Sequence, residues 1–352
     1  MKKISVIIPC YNMEDYIDRC LDSMVRQTIG IADLEIIVVN DASTDHTLDK
    51  LIEWGDRYPD DIKIITYDEN LRQGGAMNIG MQYATGEYLT FAGADDWLEL
   101  DAYESLYNEI LRNPDFDFVR AKFRTVYEYA EPKMNIDSEV INKYDFYFDK
   151  VGDCFYDFRI PQDIKREGPG EWGSTCTAIY RRSIIEEHDI RFPERVLYED
   201  NYWGNLLEFY LSCGCVINKV IYNYYYRADS TVHALNDQNH LDRIRVELYL
   251  LDVCRERKIM NVFYGKLCIG FLKRLYCNTV HTLFVRFYPA PNLFEDLKHI
   301  VVNNFPDYED YLTSDEYTQG DLVLISMLQQ FDSLTDDEWN AIQDVYLQEL
   351  RS

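Results

Sequence analysis

The chain has 352 residues, with 35 lysine and arginine against 62 aspartate and glutamate side chains, which is a formal net charge of −27. So acidic a chain, with no concentrated basic stripe, is not expected to bind nucleic acid or an anionic membrane surface. At 47% hydrophobic and 14% aromatic residues it is too apolar to be disordered, and its length predicts more than one compact part.

Nothing in the sequence predicts export or a transmembrane segment. No stretch reaches the roughly 18 uninterrupted apolar residues of a membrane helix, and the apolar run after Lys3 is too short for a signal peptide. The nine cysteines form no CxxC pair, so neither zinc nor a disulfide framework is expected. We therefore predict a cytoplasmic protein with reduced thiols, at most peripheral at the inner face of the membrane.

The first hundred residues alternate between strand and helix patterns, which is typical of an α/β fold with a mainly parallel sheet. Unbroken apolar runs predict strands buried on both faces, and apolar residues three and four apart predict helices. The predicted strands are residues 4–8, 34–39, 62–67 and 88–92, and the predicted helices are residues 14–27, 47–58, 75–84 and 96–110.

The remainder of the chain divides into three parts. Residues 127–170 lose periodicity, which indicates a functional loop or an insertion. A strand pattern returns at 177–180 and a helix at 182–188. After residue 236 the pattern is amphipathic and helical, so we predict domains at 1–235 and 236–352, the second serving acceptor recognition or self-association into a homo-oligomer. The predicted helices are residues 241–257, 263–287, 293–303, 320–331 and 336–350.

Ligands of an open α/β sheet bind at the carboxyl ends of its strands, so the polar residues after each predicted strand are candidates for a site. Asp41 could accept hydrogen bonds from a nucleobase or ribose, or cap the following helix as Ser43 or Thr44 would. The adjacent carboxylates of Asp95 and Asp96 suit Mg²⁺ or Mn²⁺ on a diphosphate, but Asp96 also suits a helix N-cap. The residues by themselves leave both alternatives open.

Taken in order, these segments resemble the family 2 glycosyltransferases, which are nucleotide-sugar-dependent enzymes. The resemblance covers about residues 1–235 and is carried by five blocks: VIIPCYN at 6–12, IVVNDASTDHT at 37–47, residues 70–80, GEYLTFAGADDW at 86–97, and residues 192–203 with LYEDNYW. It implies a GT-A (Rossmann-like) α/β fold, with a mainly parallel sheet flanked by helices, followed by a helical C-terminal region.

The resemblance also implies a donor site. Asp41 would accept from a uracil ring, Arg72 would contact the uracil or the diphosphate, and Asp95 matches the last Asp of the family's DxD motif, which binds Mn²⁺ or Mg²⁺ on the diphosphate. The implied nucleotide-sugar-binding residues are Pro9, Tyr11, Asn12, Asp41, Arg72, Asp95, Asp96, Arg227, Ser230 and His233.

The implied catalytic residues are Glu199 and Asp200, which match the family's Glu-Asp motif with Asp200 as the general base. The alternative interpretation is an acidic first turn of a helix, where the dipole favours carboxylates. In the segment that closes the catalytic domain, Arg227, Ser230 and His233 are expected to reach the diphosphate. The alternative there is an edge strand and a turn.

Several positions depart from the family pattern. Gly93 replaces the first Asp of DxD, for which Asp96 is a candidate substitute, and Met77 stands where an arginine is common. Among the aromatic residues, Trp203 is predicted to be core. Trp172 and the tyrosines of residues 127–170 are candidates for stacking on acceptor sugars.

The resulting prediction is an inverting glycosyltransferase that moves a sugar from a UDP-sugar to a hydroxyl of a glycan, lipid-linked or protein-linked saccharide acceptor in surface polysaccharide biosynthesis. The alternative is a catalytically impaired nucleotide-sugar-binding protein of the same fold. A nucleotidyltransferase is disfavoured because no glycine-rich phosphate loop follows the first strand.

Overall fold

The computed structural model describes residues 2–127, 154–157, 175–227, 237–286, 291–312 and 317–349. The chain forms two compact units, residues 1–233 and residues 234–352. The described part of the first unit contains a nine-stranded sheet with flanking helices, and the described part of the second is built from helices.

The first half of the sheet is parallel, as its apolar strand patterns predicted. Strand β1 (Ile4–Cys10) pairs with β2 (Leu34–Asp41) on one side and with β4 (Tyr88–Phe91) on the other, and β2 pairs with β3 (Ile62–Tyr67). Every residue of β2 is buried, because helices cover both faces of a sheet of this kind. The helices between these strands are α1 Ile17–Val25, α2 Thr47–Arg57 and α3 Arg72–Tyr83.

The second half of the sheet adds antiparallel pairs. Its five strands are β5 Trp97–Leu98, β6 Phe118–Tyr127, β7 Cys154–Asp157, β8 Ala178–Arg181 and β9 Cys213–Tyr226. From β4 the order continues β8, β6, β9 and β5, with β7 also paired to β9. The sequence patterns did not predict β6, because Arg120 and Lys122 interrupt its apolar run although both are buried.

Two predictions for this half were wrong. The helix expected from Asp96 begins instead at Ala102, because β5 intervenes and the Asp96 carboxylate bonds to β9. The alternative of an edge strand at residues 222–227 also fails, since β9 lies between β6 on one side and β5 and β7 on the other. The helices of this half are α4 Ala102–Arg112, α5 Arg182–Glu187 and α6 Glu199–Glu208.

The second unit contains the helices that amphipathic spacing predicted. The single α-helix expected over residues 263–287 is instead two α-helices, with a π-helical segment, Leu272–Cys277, between them. None of the helices that the structure describes is long and apolar enough to cross a membrane. The helices are α7 Asp237–Glu256, α8 Met260–Phe271, α9 Asn278–Arg286, α10 Pro291–Asn304, α11 Gln319–Gln330 and α12 Asp336–Glu349.

Candidate functional site

The predicted site segments lie at the carboxyl ends of four neighbouring parallel strands. The registers of β1 with β2, β2 with β3 and β1 with β4 place residues 10–12, 41, 68–72 and 92–95 at one edge of the sheet. Strand ends that are far apart in sequence meet there because the strands are parallel.

After β1 the chain is tied to the end of β2 through Asn12. The backbone N–H of Asn12 donates to Ser43 Oγ at 3.0 Å, and the Asn12 Oδ1 accepts from the Thr44 N–H at 2.8 Å. Asn12 has φ 53°, a left-handed conformation that asparagine tolerates. Ser43 or Thr44 had been expected to cap α2, but neither does. Instead, the Thr47 N–H at the start of α2 donates to Asp45 Oδ1 at 3.0 Å. Pro9 lies within β1 and Tyr11 is 44% exposed.

Asp41 is buried, and it does not cap α2. Its Oδ1 accepts from the Tyr67 hydroxyl at 2.7 Å and from the Leu71 N–H at 2.8 Å, and its carbonyl oxygen accepts from Asn70 Nδ2 at 3.1 Å. The carboxylate therefore joins the ends of β2 and β3 to the loop before α3. Arg72 follows at the start of α3, exposed and in a left-handed conformation with φ 60°.

After β4, Asp95 pairs with an arginine at the end of β9. Arg227 Nε lies 3.1 Å from Asp95 Oδ2, with 13% of the arginine and 20% of the aspartate side chain exposed. Burial raises the pKa of the Asp95 carboxyl above its ordinary value, although the charges of Arg227 and Arg19 act in the opposite direction. Arg19 donates from Nη2 to the Asp95 carbonyl oxygen at 2.7 Å.

The Asp96 side chain is buried against β9. Its Oδ2 accepts from the Tyr222 hydroxyl at 2.5 Å and its Oδ1 from the Tyr225 N–H at 2.7 Å. Burial and the charge of Asp95 raise the pKa of Asp96 to about 7, against the effect of those two hydrogen bonds. With only 5% of the residue exposed, the carboxylate fastens the β4 loop to β9.

Gly93, at the position where the family has its first DxD aspartate, has no room for a side chain. A Cβ built on Gly93 would lie 2.6 Å from Asp96 Oδ2 and 3.1 Å from Asp95 Oδ1. The Gly93 N–H donates to the Tyr222 hydroxyl at 2.9 Å, which holds the backbone in place. A side chain at this position would therefore require the buried Asp96 carboxylate, or the backbone, to shift.

Glu199 and Asp200 lie in the first turn of α6, as the alternative interpretation of an acidic helix terminus predicted. Tyr198 before them has φ 64°, a left-handed conformation that costs free energy in a non-glycine residue. Glu199 is 5% exposed, and burial together with the Asp200 charge raises its pKa to about 8. Asp200 is more accessible, and its Oδ1 accepts from the Asn201 N–H at 2.9 Å.

Helix α3 connects the acidic pair of α6 to the strand ends. The Arg72 charge acts on the Glu199 carboxyl, lowering its pKa against burial. A Cβ on Gly74, in the first turn of α3, would lie 3.3 Å from Glu199 Cγ, so the two helices touch there. Met77 of the same helix is fully buried, and Trp203 of α6 is core as predicted.

Sequence reasoning missed two groups of residues at this edge. The Arg19 guanidinium lies 4.0 Å from the Trp97 ring centroid and 4.3 Å from that of Tyr225, beside Asp95. Asn78 of α3 binds the backbone of Phe192 ahead of α6. The available signal for Asn78 was a polar residue on an otherwise buried helix face.

Several candidates lie outside the described residues. They are Ser230, His233, Trp172 and most of the segment 127–170, of which only Tyr127 and residues 154–157 are described. Among the residues that are described, no group of three histidine, cysteine, aspartate or glutamate side chains is arranged to hold a metal ion.

A mixed sheet of this order, with acids at its parallel strand ends and a helical region after it, defines the GT-A class of folds. The family model described as glycosyl transferase family 2 matches residues 5–188, which is more than half of the 352 residues. The chain belongs to glycosyl transferase family 2. The family, fold class and transferase class that the sequence motifs predicted are thereby confirmed.

Two relatives show how much of the chain is shared. Glycosyltransferase GlyA of Streptococcus pneumoniae is 31% identical over 65% of this chain and 31% of its own length. Poly(ribitol-phosphate) beta-glucosyltransferase of Bacillus spizizenii is 29% identical over 64% of this chain and 32% of its own length. The chain thus spans about a third of the length of each relative.

The fold extends over nearly the whole chain in solved structures. Crystal structures of residues 1–349 of S. aureus TarS, in complex with UDP and with UDP-GlcNAc, have a TM-score of 0.70 and 18% identity. Each match covers 99% of this chain and 92% of that one. This similarity shows that the fold, including its helical part, is shared.

Proposed function

We propose that the protein is an inverting glycosyltransferase that moves a sugar from a UDP-sugar to an acceptor hydroxyl in the synthesis of a cell-surface polymer. The observation that carries the proposal is the arrangement of three acidic groups around the parallel strand ends and the start of α3. Asp41 lies at the end of β2, Asp95 follows β4, and the Glu199 and Asp200 pair begins a helix packed on α3. Such a crevice is where α/β sheets bind nucleotides.

In this proposal the nucleotide lies over the ends of β1, β2 and β3. Tyr11 offers an exposed ring for stacking, Asp41 is oriented by Tyr67 and the Leu71 N–H to accept from the base, and Pro9 and Asn12 shape the loop beneath. Arg72 and Arg227 supply positive charge for the diphosphate, with Ser230 and His233 as further contacts from the segment after β9. In a chain of net charge −27 these cations matter for admitting an anionic donor.

The site fits a divalent cation, Mn²⁺ or Mg²⁺, when the donor diphosphate supplies the ligands that Asp95 does not. The described residues offer Asp95 as a ligand, while Asp96 is occupied by Tyr222 and Tyr225. Mg²⁺ is commonly held by one or two carboxylates completed by substrate phosphates and water, so Asp95 suits a cation that arrives with the diphosphate. When bound there, the cation would neutralise charge on the leaving diphosphate.

Asp200 is the proposed general base. It would take the proton from the acceptor hydroxyl as the oxygen attacks the anomeric carbon from the face opposite the diphosphate, which inverts the configuration at that carbon. General-base help is typically worth about 10² to 10⁴ in rate. Burial and the Asp200 charge raise the pKa of Glu199 to about 8, which favours its protonated form at neutral pH and so limits the negative charge beside Asp200.

The names of relatives suggest the acceptor class. They include poly(ribitol-phosphate) beta-glucosyltransferase and the teichoic acid poly(glycerol phosphate) polymerase of Staphylococcus epidermidis. We propose a polyol-phosphate polymer or another surface glycan as acceptor, made at the inner face of the membrane. The fold is shared with a protein crystallised with UDP-GlcNAc, so UDP-GlcNAc and UDP-glucose are the first donors to test.

The test is donor turnover by the full chain and by Asp200→Asn, measured as UDP release from a panel of UDP-sugars with Mn²⁺. We expect release that falls about 10² to 10⁴-fold in the variant, while UDP affinity is retained. UDP binding with no Asp200-dependent release from any sugar would favour the impaired binding protein. Chelation should weaken UDP binding, and an unchanged affinity would contradict Asp95 as a metal ligand.

A further inference from the structure

A buried amide on α3 holds the loop that leads into α6. Asn78 is 8% exposed, its Nδ2 donates to the Phe192 carbonyl oxygen at 2.9 Å, and its Oδ1 accepts from the Phe192 N–H at 2.8 Å. One side chain therefore satisfies both backbone groups of one residue 114 positions away in sequence. Because both partners are buried, losing the amide would leave two backbone groups without hydrogen bonds.

The ring of Phe192 packs directly against α6. It stacks on Trp203 with centroids 5.0 Å apart and planes 5° from parallel, and both rings meet Phe91 of β4 edge to face. Trp203 lies one helical turn after Asp200 and is fully buried. The start of α6 is thus located by a stack whose other member is held by Asn78.

The loop between these points is conformationally strained. Arg195 and Tyr198, which lie between Phe192 and α6, both have positive φ, at 61° and 64°. Non-glycine residues keep such conformations only where surrounding contacts determine them. The same loop closely approaches α3 at Gly74, where any Cβ would meet the Pro193 carbonyl oxygen. Outside contacts, the Asn78 bonds to Phe192 among them, therefore hold the loop that leads to Asp200.

We propose that Asn78 is a positioning residue for Asp200: by clamping Phe192 it sets where the first turn of α6 lies relative to the strand ends. The inference rests on the proposed function, in which Asp200 is the base. Asn78 has no contact with the proposed donor groups Asp41 or Asp95 among its hydrogen bonds. Its effect is consequently on the chemical step and not on donor binding.

The first measurement is UDP affinity and turnover of the full chain carrying Asn78→Ala. We expect UDP affinity and donor KM within about twofold of the parent, and kcat reduced about 10 to 100-fold, since displacements near 1 Å can cost that much. The acidic limb of the pH profile of kcat should also move, because the surroundings of Asp200 change.

The matched control is Gln27→Ala. Gln27 is a buried amide of the same kind, with Nε2 donating to the Ser23 and Glu99 carbonyl oxygens and Oε1 accepting from the Tyr103 N–H. Within the described part of the chain none of these hydrogen bonds reaches α3 or α6, so the variant should lower Tm comparably while leaving kcat within about twofold. Equal losses of kcat in both variants would overturn the proposal, because they would reflect stability alone.

A double-mutant cycle with Asp200→Asn decides the matter. If Asn78 acts through Asp200, Asn78→Ala in that background should change residual turnover by no more than about twofold. A full additive loss would overturn the positioning role while leaving the proposed function intact. Full activity of Asp200→Asn alone would refute the proposed base and this inference with it. Should Asn78→Ala not fold, Asn78→Asp, which keeps the acceptor for the Phe192 N–H, enters the same cycle with the same criteria.

Discussion

At the scale of single residues, burial makes two adjacent acids chemically different. Glu199 is 5% exposed and its pKa is raised to about 8, first by burial and then by the neighbouring charge of Asp200. Asp200 lies nearer solvent at the same helix terminus. Environments that separate the ionisation of neighbouring carboxyls are how acid and base roles are divided in enzymes.

We expect Glu199→Gln to keep most of the turnover at about pH 7, because glutamine resembles the protonated side chain. The folded-state pKa of about 8 exceeds the ordinary 4.5, so the parent loses stability as pH rises between these values. The variant lacks that loss and should be more stable than the parent at about pH 9. Urea unfolding at both pH values, with UDP release at pH 7, checks this; a variant as inactive as Asp200→Asn would contradict it.

Gly93 shows why a family consensus cannot simply be restored. We expect Gly93→Asp to lower both stability and UDP release, because its Cβ would lie 2.6 Å from Asp96 Oδ2 and would place a third carboxylate beside Asp95 and Asp96. Gly93→Ala, with the same Cβ and no charge, separates the steric from the electrostatic part. Thermal unfolding and UDP affinity are the measurements, and tighter UDP binding by Gly93→Asp would disprove the steric argument.

At the scale of elements, a buried carboxylate joins two strands and a turn. Glu35 of β2 accepts from Ser5 Oγ of β1 at 2.6 Å and from the Thr85 N–H at 2.7 Å, and Lys63 of β3 lies 3.5 Å away. Burial acts to raise the pKa of Glu35, but these donors together hold it below its ordinary value. The charged form therefore stabilises this end of the sheet.

We expect Glu35→Gln to lower the free energy of unfolding by about 1.5 to 3 kcal/mol at about pH 7, the usual worth of hydrogen bonds to a charged group. Because the folded pKa is depressed, this contribution is present above the ordinary value of 4.5 and is lost as pH falls below it. Urea unfolding at about pH 7 and about pH 3 should show the gap closing. The control is Glu104→Gln, because Glu104 is a less buried acid that accepts one hydrogen bond from Thr28; a gap independent of pH would count against the ionic explanation.

Which elements could be predicted depended on how their side chains are arranged. The parallel strands β1 to β4 are mainly apolar, so they could be predicted as strands, although β3 carries Lys63 and is only partly buried instead of buried on both faces as expected. Strand β6 was not, because Arg120 and Lys122 are buried by partners that only the fold supplies, such as the Tyr180 hydroxyl bonded to Arg120. The helix expected at Asp96 failed because a tertiary bond to Tyr222 outweighed local capping preference.

At the scale of the whole molecule, the net charge of −27 opposes the approach of an anionic donor. We expect the association rate of a UDP-sugar, measured without added divalent cation so that the donor keeps its negative charge, to rise as KCl increases from about 10 to about 150 mM, because the Debye length falls from about 30 to about 8 Å. Stopped-flow binding measures the rate, and uncharged uridine is the control that should not respond. A rate that falls with salt would mean that local arginines, not the net charge, govern entry.

The sequence by itself determined the α/β class, the strand ends where polar residues collect, and the family, because apolar runs and short motifs are local properties. Only the tertiary structure decided what each polar group does. It turned Asp96 inward to Tyr222, excluded a side chain at Gly93, and joined Asn78 to Phe192 across the fold. Those outcomes depend on which residues distant in the chain become neighbours when the sheet closes, and hydrogen bonds and steric contacts between such neighbours have no local signature.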